Sequence, residues 1–99
     1  MMASFQDAVF AACKRIPRGK VSTYSEIARA IGRPRAIRAV GNALNRNRSK
    51  DVPCHRVIRS DRKIGGFARG ARAKALLLEK EGVPISGGKA AEGCIFRLV

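Results

Sequence analysis

Thr23-Tyr24-Ser25-Glu26-Ile27-Ala28-Arg29-Ala30-Ile31-Gly32-Arg33-Pro34-Arg35-Ala36-Ile37-Arg38-Ala39-Val40-Gly41-Asn42-Ala43-Leu44-Asn45 reads as two short helices on either side of a glycine turn, and that reading decides the fold. Thr23 and Glu26 have the spacing of a capping box, in which two side chains satisfy backbone N–H groups at a helix start. The helix they open runs through Ile31. Gly32-Arg33-Pro34 supplies the turn. A further helix from about Arg35 to Asn45 places Ala36, Ile37, Val40, Ala43 and Leu44 on one apolar face and turns Arg35, Arg38 and Asn42 outward. Two short helices about such a turn, the second one basic, form the pattern of a helix-turn-helix, whose second helix enters the major groove of DNA. Any αα-hairpin shares the pattern, so both readings stay open at this point.

Working outward, residues Ser4 to Ile16 carry Phe5, Ala8, Val9, Ala12, Cys13 and Ile16 as a helical stripe, which Pro17-Arg18-Gly19 ends. Cys13 lies on that stripe and reads as a core residue. Residues 45–51 have no periodicity and form a loop. Val57-Ile58-Arg59 and Lys63-Ile64 flank Ser60-Asp61-Arg62, which predicts a small hairpin, and Gly65 to Gly70 predicts a flexible loop. A last helix is expected from Ala71 to Glu81, with Leu76, Leu77 and Leu78 largely buried and Gly82 as its cap. Ile85 and Ile95-Phe96-Arg97-Leu98 are expected to pair as strands around Gly87-Gly88.

The chain has 99 residues, 45% of them apolar, which suits one small globular domain rather than a disordered segment. It lacks an apolar run long enough to span a membrane, and its first residues, Met1 to Asp7, carry an acid and no basic region, unlike a secretory signal. The expectation is an intracellular protein, cytoplasmic and, in a prokaryote, nucleoid-associated. Lys and Arg number 21 against seven Asp and Glu, for a formal net charge of +14. Such an imbalance attracts polyanions through counterion release, so nucleic acid is the leading partner. Cys13, Cys54 and Cys94 are odd in number and about forty residues apart, and the chain has a single histidine. That spacing fits neither a disulfide framework nor a zinc site, so no metal is expected.

The reactive centre is read at Val52-Pro53-Cys54-His55-Arg56-Val57-Ile58, where a thiol stands beside the only histidine with a guanidinium two residues on. An unperturbed thiol is mostly protonated at neutral pH, and a nearby base or cation raises the reactive thiolate fraction. Against this stands the ordinary tendency of free cysteines to be buried as small hydrophobes. Adjacent residues do not face each other on a helix or strand, so His55 need not touch Cys54 and the proton can travel through water or another side chain.

Taken together, Pro17 to Tyr24, Arg38-Ala39-Val40-Gly41, Pro53 to Ile58, Gly65 to Gly70 and Lys74 to Gly82 come in the order found in one family. The chain resembles the C-terminal, DNA-binding and catalytic domain of the O6-alkylguanine-DNA alkyltransferases. The resemblance implies a mainly α fold with small β elements, a winged-helix-like helix-turn-helix domain of the alkyltransferase C-terminal type, with residues 1–99 as one domain and the family's N-terminal domain absent. It implies that Cys54 takes the alkyl group from O6 of guanine irreversibly, once, and without a cofactor. His55 would deprotonate Cys54 through a water held by Glu81, Tyr24 would give a hydrogen bond or proton to the guanine, and Asn47 would brace the recognition helix against the cysteine turn. The backbone at Cys54 and Val57 would read the exocyclic amine and the Ala68 amide would approach O6, with Phe67 and Arg69 completing the pocket. Arg38 would fill the gap left by a flipped nucleotide, with Thr23, Tyr24, Arg35, Ala39 and Asn42 also on DNA, because a base inside a duplex is out of reach for chemistry. The expected partner is double-stranded DNA containing O6-alkylguanine, met by a monomer.

Several positions depart from the family pattern. Asn47-Arg48 stands where an Asn-Pro pair is common, Arg48 to Val52 is polar where many members are apolar, Phe67 stands where many have tyrosine, and Arg69 adds charge. The layout and length also resemble the alkyltransferase-like proteins, which bind and mark the lesion without repairing it. Those usually carry tryptophan at the cysteine position, and this chain has none. A plain transcriptional helix-turn-helix is the third reading.

Overall fold

The computed structural model describes residues 4–65 and 70–99. Its first helix, α1 (Phe5–Cys13), starts where the Ser4 hydroxyl accepts from the Asp7 N–H at 3.0 Å and the Asp7 carboxylate accepts from the Ser4 N–H at 3.4 Å. That reciprocal pair is a capping box. Val9, Ala12 and Cys13 are buried from this helix, so Cys13 does pack in the core as its stripe predicts.

A short strand, β1 (Ser22–Thr23), leads directly into α2 (Tyr24–Ala30). Thr23 caps α2 by accepting from the Glu26 N–H at 3.0 Å. The expected return bond from Glu26 is replaced: its carboxylate lies buried and accepts from the Leu98 and Val99 N–H groups at 2.9 and 3.1 Å and from Arg29. The capping box at Thr23 is therefore half of one, because two unpaired amides of the C-terminal tail claim the acid. After the turn at Gly32, whose φ of +75° suits glycine, α3 (Ile37–Asn45) packs Val40, Ala43 and Leu44 into the core. Ile37 departs from expectation at 45% exposed, since the helix begins at that residue and its first turn projects beyond the core.

The chain then passes through a 3₁₀ turn (Cys54–Arg56) into β2 (Val57–Ile58). The hairpin expected from Val57 to Ile64 is not the main pairing. Instead β2 runs parallel to β1, with Ser22 opposite Val57 and Thr23 opposite Ile58, while Arg59 to Lys63 close a turn through the Arg59 N–H and the Lys63 carbonyl. The parallel ladder satisfies strand backbones at the centre of the fold, which a surface hairpin would not.

Helix α4 (Ala71–Lys80) buries Lys74 and Leu78 and half-buries Leu77, whereas Leu76, expected inside, is 59% exposed. Three consecutive leucines cannot share one helical face, and the face containing 74 and 78 won. Gly82 (φ +91°) follows the helix, with the Val83 N–H donating to the Leu78 carbonyl. The last strand pair differs from expectation: β3 (Ile85–Ser86) pairs antiparallel with β4 (Lys89–Ala90) around Gly87-Gly88, while Ile95 bridges Val21 instead. The core comprises two clusters. One joins α1, α2 and α3 with Val52, Val57 and Leu98; the other joins Val21, Ile58, Ile64, Leu78, Val83 and Ala90. Successive residues of β2 point into opposite clusters, as the period of a strand requires. No helix among the described residues is long and apolar enough to cross a membrane.

Candidate active site and nucleic-acid interface

Cys54 opens the 3₁₀ turn and is half-buried, so its sulfur is neither sealed in the core nor free in solvent. Asn47, just past α3, reaches it: the Asn47 side-chain amide lies 3.5 Å from Cys54 Sγ and 3.1 Å from the Val52 carbonyl, and Asn47 Oδ1 accepts from the Ser49 N–H at 2.9 Å. One side chain thus ties the end of α3 to the loop that carries the thiol.

His55 and Arg56 face a different partner. Nε2 of His55 lies 3.0 Å from Glu81 Oε2, and Arg56 forks onto the same carboxylate, with Nε 2.9 Å from Oε1 and Nη2 2.9 Å from Oε2. Arg56 Nη1 also donates to the Ile16 carbonyl at 2.8 Å, which fastens the turn to the end of the first helical segment. Burial alone would raise the Glu81 carboxyl, but the hydrogen bonds and charges of Arg56 and His55 outweigh it and hold the group below its ordinary value. An ionised carboxylate only accepts, so the neutral imidazole carries its proton on Nε2 and leaves Nδ1 as a base. Burial lowers the His55 pKa despite the pull of Glu81, which favours that neutral form. Glu81 therefore holds the imidazole itself; the resemblance had implied that it holds a water. Gly19, at φ +87°, packs close to the backbone of Glu81: a Cβ there would stand 3.2 Å from the Glu81 carbonyl.

Tyr24, at the first turn of α2, is half-buried, and burial raises its pKa, so the hydroxyl keeps its proton. Its neighbours include a residue that sequence reasoning left without a role. Lys74 is fully buried, donates to the Val57 carbonyl at 2.6 Å, lies 3.5 Å from Tyr24 Oη and sits 5.7 Å from the centre of the Tyr24 ring. Burial pushes its pKa down to about 8, against the opposing pull of the Cys54 and Cys13 sulfurs. The same burial pushes the Cys13 thiol up to about 12. Arg56 is the second residue without an assigned contact. Its signal was the guanidinium two places after the thiol; that of Lys74 was a lysine four residues before Leu78, on the apolar stripe of α4.

The expected base-reading carbonyls are engaged. Val57 accepts from Lys74 and Cys54 from the Val57 N–H, which leaves one lone pair on each. The pocket residues Phe67, Ala68 and Arg69 lie outside the described residues. On the other side of the site, Arg35, Arg38, Ala39 and Asn42 are all exposed on or just before α3, as expected, and Thr23 caps α2 beside Tyr24. Arg33, Pro34, Arg35 and Ala36 line a shallow cleft at the turn that precedes α3. No group of three or more metal-ligating side chains occurs among the described residues.

A family model described as 6-O-methylguanine DNA methyltransferase, DNA binding domain, matches residues 4–83. The chain is similar to methylated-DNA--protein-cysteine methyltransferases, 44% identical over 82 residues to that of Haemophilus influenzae and 53% over 78 residues to that of Methanosarcina barkeri. These matches cover 82% and 78% of this chain and 46% and 49% of the relatives, so the chain spans about half the length of the curated relatives it matches. Among solved structures, S. pombe Atl1 in complex with damaged DNA containing O6-carboxymethylguanine superposes with a TM-score of 0.85 at 36% identity over 98% of both chains. Mycobacterium tuberculosis OGT in complex with DNA gives 0.77 at 43% identity over 83% of this chain and 51% of its own. The chain accordingly belongs to the family of the 6-O-methylguanine DNA methyltransferase DNA-binding domain.

Proposed function

We propose that the chain repairs O6-alkylguanine in double-stranded DNA by transferring the alkyl group to its own Cys54. The observation that carries this reading is a half-buried thiol held by Asn47 in a turn whose next residue, His55, is bonded to Glu81. Arg38 enters the duplex from the exposed face of α3, Thr23, Arg35, Ala39 and Asn42 hold the strands nearby, and the flipped nucleotide is received beside Tyr24. The thiol proton leaves through a water to Nδ1 of His55, whose imidazolium Glu81 stabilises. The sulfur then attacks the alkyl carbon, a C–S bond forms as the bond from that carbon to O6 breaks, and the electron pair passes into the guanine. Tyr24 supplies a hydrogen bond or proton to the leaving base. The thioether has no route to hydrolysis, so each molecule acts once, as a monomer and without a cofactor. Residues 1–99 work as one domain of this type, inside the cell where DNA lies.

A second reading draws support from the likeness to Atl1, which extends over 98% of both chains, beyond the segment shared with the methyltransferases. In that reading the protein grips the lesion and marks it for other repair. Incubation with duplex DNA carrying a radiolabelled O6-methyl group separates the two. Transfer predicts one label per protein molecule at saturation; label that stays on DNA at protein excess sinks the transferase reading.

A further inference from the structure

Resting on the DNA-binding part of that reading, we infer that Lys63 and Lys89 form a second contact surface for the same duplex, gripping its phosphate backbone where the protein surface continues past Tyr24 from α3. A line of close contacts leads from α3 to this corner. A Cβ on Gly41 of α3 would stand 3.9 Å from Tyr24 Cε1, and one on Gly65 would stand 3.8 Å from Tyr24 Oη and 3.2 Å from Arg59 Cγ. The register of β1 and β2 pairs Thr23 with Ile58, so Tyr24 and Arg59 are the next residues of the two chains. Arg59 Nε lies 3.9 Å from Asp61 Oδ1, which accepts from the Lys63 N–H at 3.0 Å. Lys63 in turn bridges Lys89 in antiparallel register. Tyr24 thus meets α3 along its ring and the approach to the basic corner at its hydroxyl.

Backbone hydrogen bonds stitch the two halves of the corner together. The Arg62 carbonyl accepts from the Ala90 N–H at 2.9 Å, Arg62 Nη1 donates to the Ala90 carbonyl at 3.3 Å, and the Ile64 N–H donates to the Gly88 carbonyl at 3.1 Å. Arg62, at φ +71°, is the one non-glycine residue with a positive φ among the described residues. That conformation is costly and persists only where its surroundings impose it. The fold therefore fixes the β3–β4 hairpin against the Arg59–Lys63 turn and sets Lys63 directly opposite Lys89, where like charges on facing strands repel. Asp61 does not settle the repulsion. The Lys63 N–H first, and then the charges of Arg59, Lys63 and Lys89, hold its carboxyl below the ordinary range, so one exposed acid answers three cations. Both lysines are exposed, and neither enters an ion pair among the described residues. A phosphate between two ammonium groups turns their repulsion into attraction, and a duplex seated on α3 brings phosphates in a row. The β3–β4 hairpin with Lys89 lies beyond residues 4–83, the part that the family model matches.

The test is the affinity for O6-methylguanine duplex and for the same duplex unmodified, measured by fluorescence anisotropy from about 50 to about 200 mM salt. Wild type is compared with the double variant Lys63→Gln, Lys89→Gln and with a control, Lys14→Gln, Lys80→Gln, which removes the same charge at the C-terminal ends of α1 and α4. Each phosphate contact contributes about 0.9 to the slope of log affinity against log salt, so the corner variant should lower that slope by about 2 and the control by much less. Phosphate contacts carry no base information, so both duplexes should weaken by the same factor. A slope difference of less than about one between the two variants overturns the proposal, and so does a loss confined to the lesion duplex. Removing two facing charges relieves repulsion, so the melting temperature of the corner variant should not fall. If that variant nonetheless fails to fold, the single changes decide: each should lower the slope by about 1, and falls of less than about half that in both overturn the proposal. Methyl transfer to Cys54 is scored separately by intact mass; its absence in wild type fails the repair reading while the slopes still decide this one. Wild type that binds neither duplex overturns both.

Discussion

The outer face of α3 and the turn at Cys54–Arg56 are both rich in cations and treat them in opposite ways. On α3 and in the turn before it, Arg33, Arg35 and Arg38 stand exposed, and none of the ion pairs among the described residues involves them. At the cysteine turn, Arg56 and His55 are largely buried and share one carboxylate, Glu81. Exposed charges of the first kind act over a Debye length, weaken with salt and bind any phosphate backbone. Buried charges of the second kind hold one geometry and lose it as a unit. In the proposed function, affinity for DNA and chemistry on DNA fall to separable sets of charges.

Glu81→Gln attacks the buried set and should give the largest effect. It leaves Arg56 without a countercharge and frees the imidazole, so methyl transfer should slow on the order of 100-fold and stability should fall by about 3 kcal/mol. Rate measurement and denaturant unfolding read the two. The folded pKa of Glu81 lies below its ordinary 4.5, so its contribution is full above about pH 4.5 and is lost as pH falls through the lower folded value. Glu81→Gln should flatten that acid-side loss.

Arg38→Ala attacks the exposed set. It should weaken lesion binding by about 1–3 kcal/mol and lower the slope of log affinity against log salt by about one, while thermal stability stays within about 0.5 kcal/mol of wild type. Comparable damage to stability would break the division between the two regions.

A smaller effect sharpens it. Lys74 has a folded pKa of about 8 against an ordinary 10.5, so above pH 8 the unfolded chain binds more protons and stability should rise with pH. Cys13, raised to about 12 from 9.0, works in the other direction from pH 9 upward. The net gain is expected between about pH 8 and pH 9, at about 1 kcal/mol, and should vanish in Lys74→Met. Melting temperatures across that interval check it.

The smallest change concerns Gly41 in the middle of α3, where an added Cβ would meet Tyr24 at an ordinary contact distance of 3.9 Å. Gly41→Ala should stabilise the protein by about 0.5–1 kcal/mol through helix propensity, measured by denaturant midpoint, with DNA binding unchanged.

Much of this was legible in the sequence because the signals are local. The helix-turn-helix followed from apolar spacing and the Gly32 turn, and the thiol turn from Pro53-Cys54-His55-Arg56. What escaped depends on distant pairing. Val57-Ile58 was read with its near neighbour Lys63-Ile64, yet its partner is Ser22-Thr23, more than thirty residues earlier. Glu26 has the spacing of a capping residue, but the C-terminal amides of Leu98 and Val99 take its carboxylate. Lys74 had no role in the sequence until α4 turned that face inward, and Leu76 looked apolar enough to be buried until the same rotation exposed it. In each case tertiary competition, not local propensity, chose the outcome.

Intact-mass analysis of the protein after incubation with a slight deficit of O6-methylguanine duplex tests the central claim most directly. The account predicts a gain of one methyl group, mapped to the peptide containing Cys54, and no gain in Cys54→Ala although that variant still binds the lesion. An unchanged mass in the wild-type protein, with the lesion bound and its methyl group intact, would contradict it.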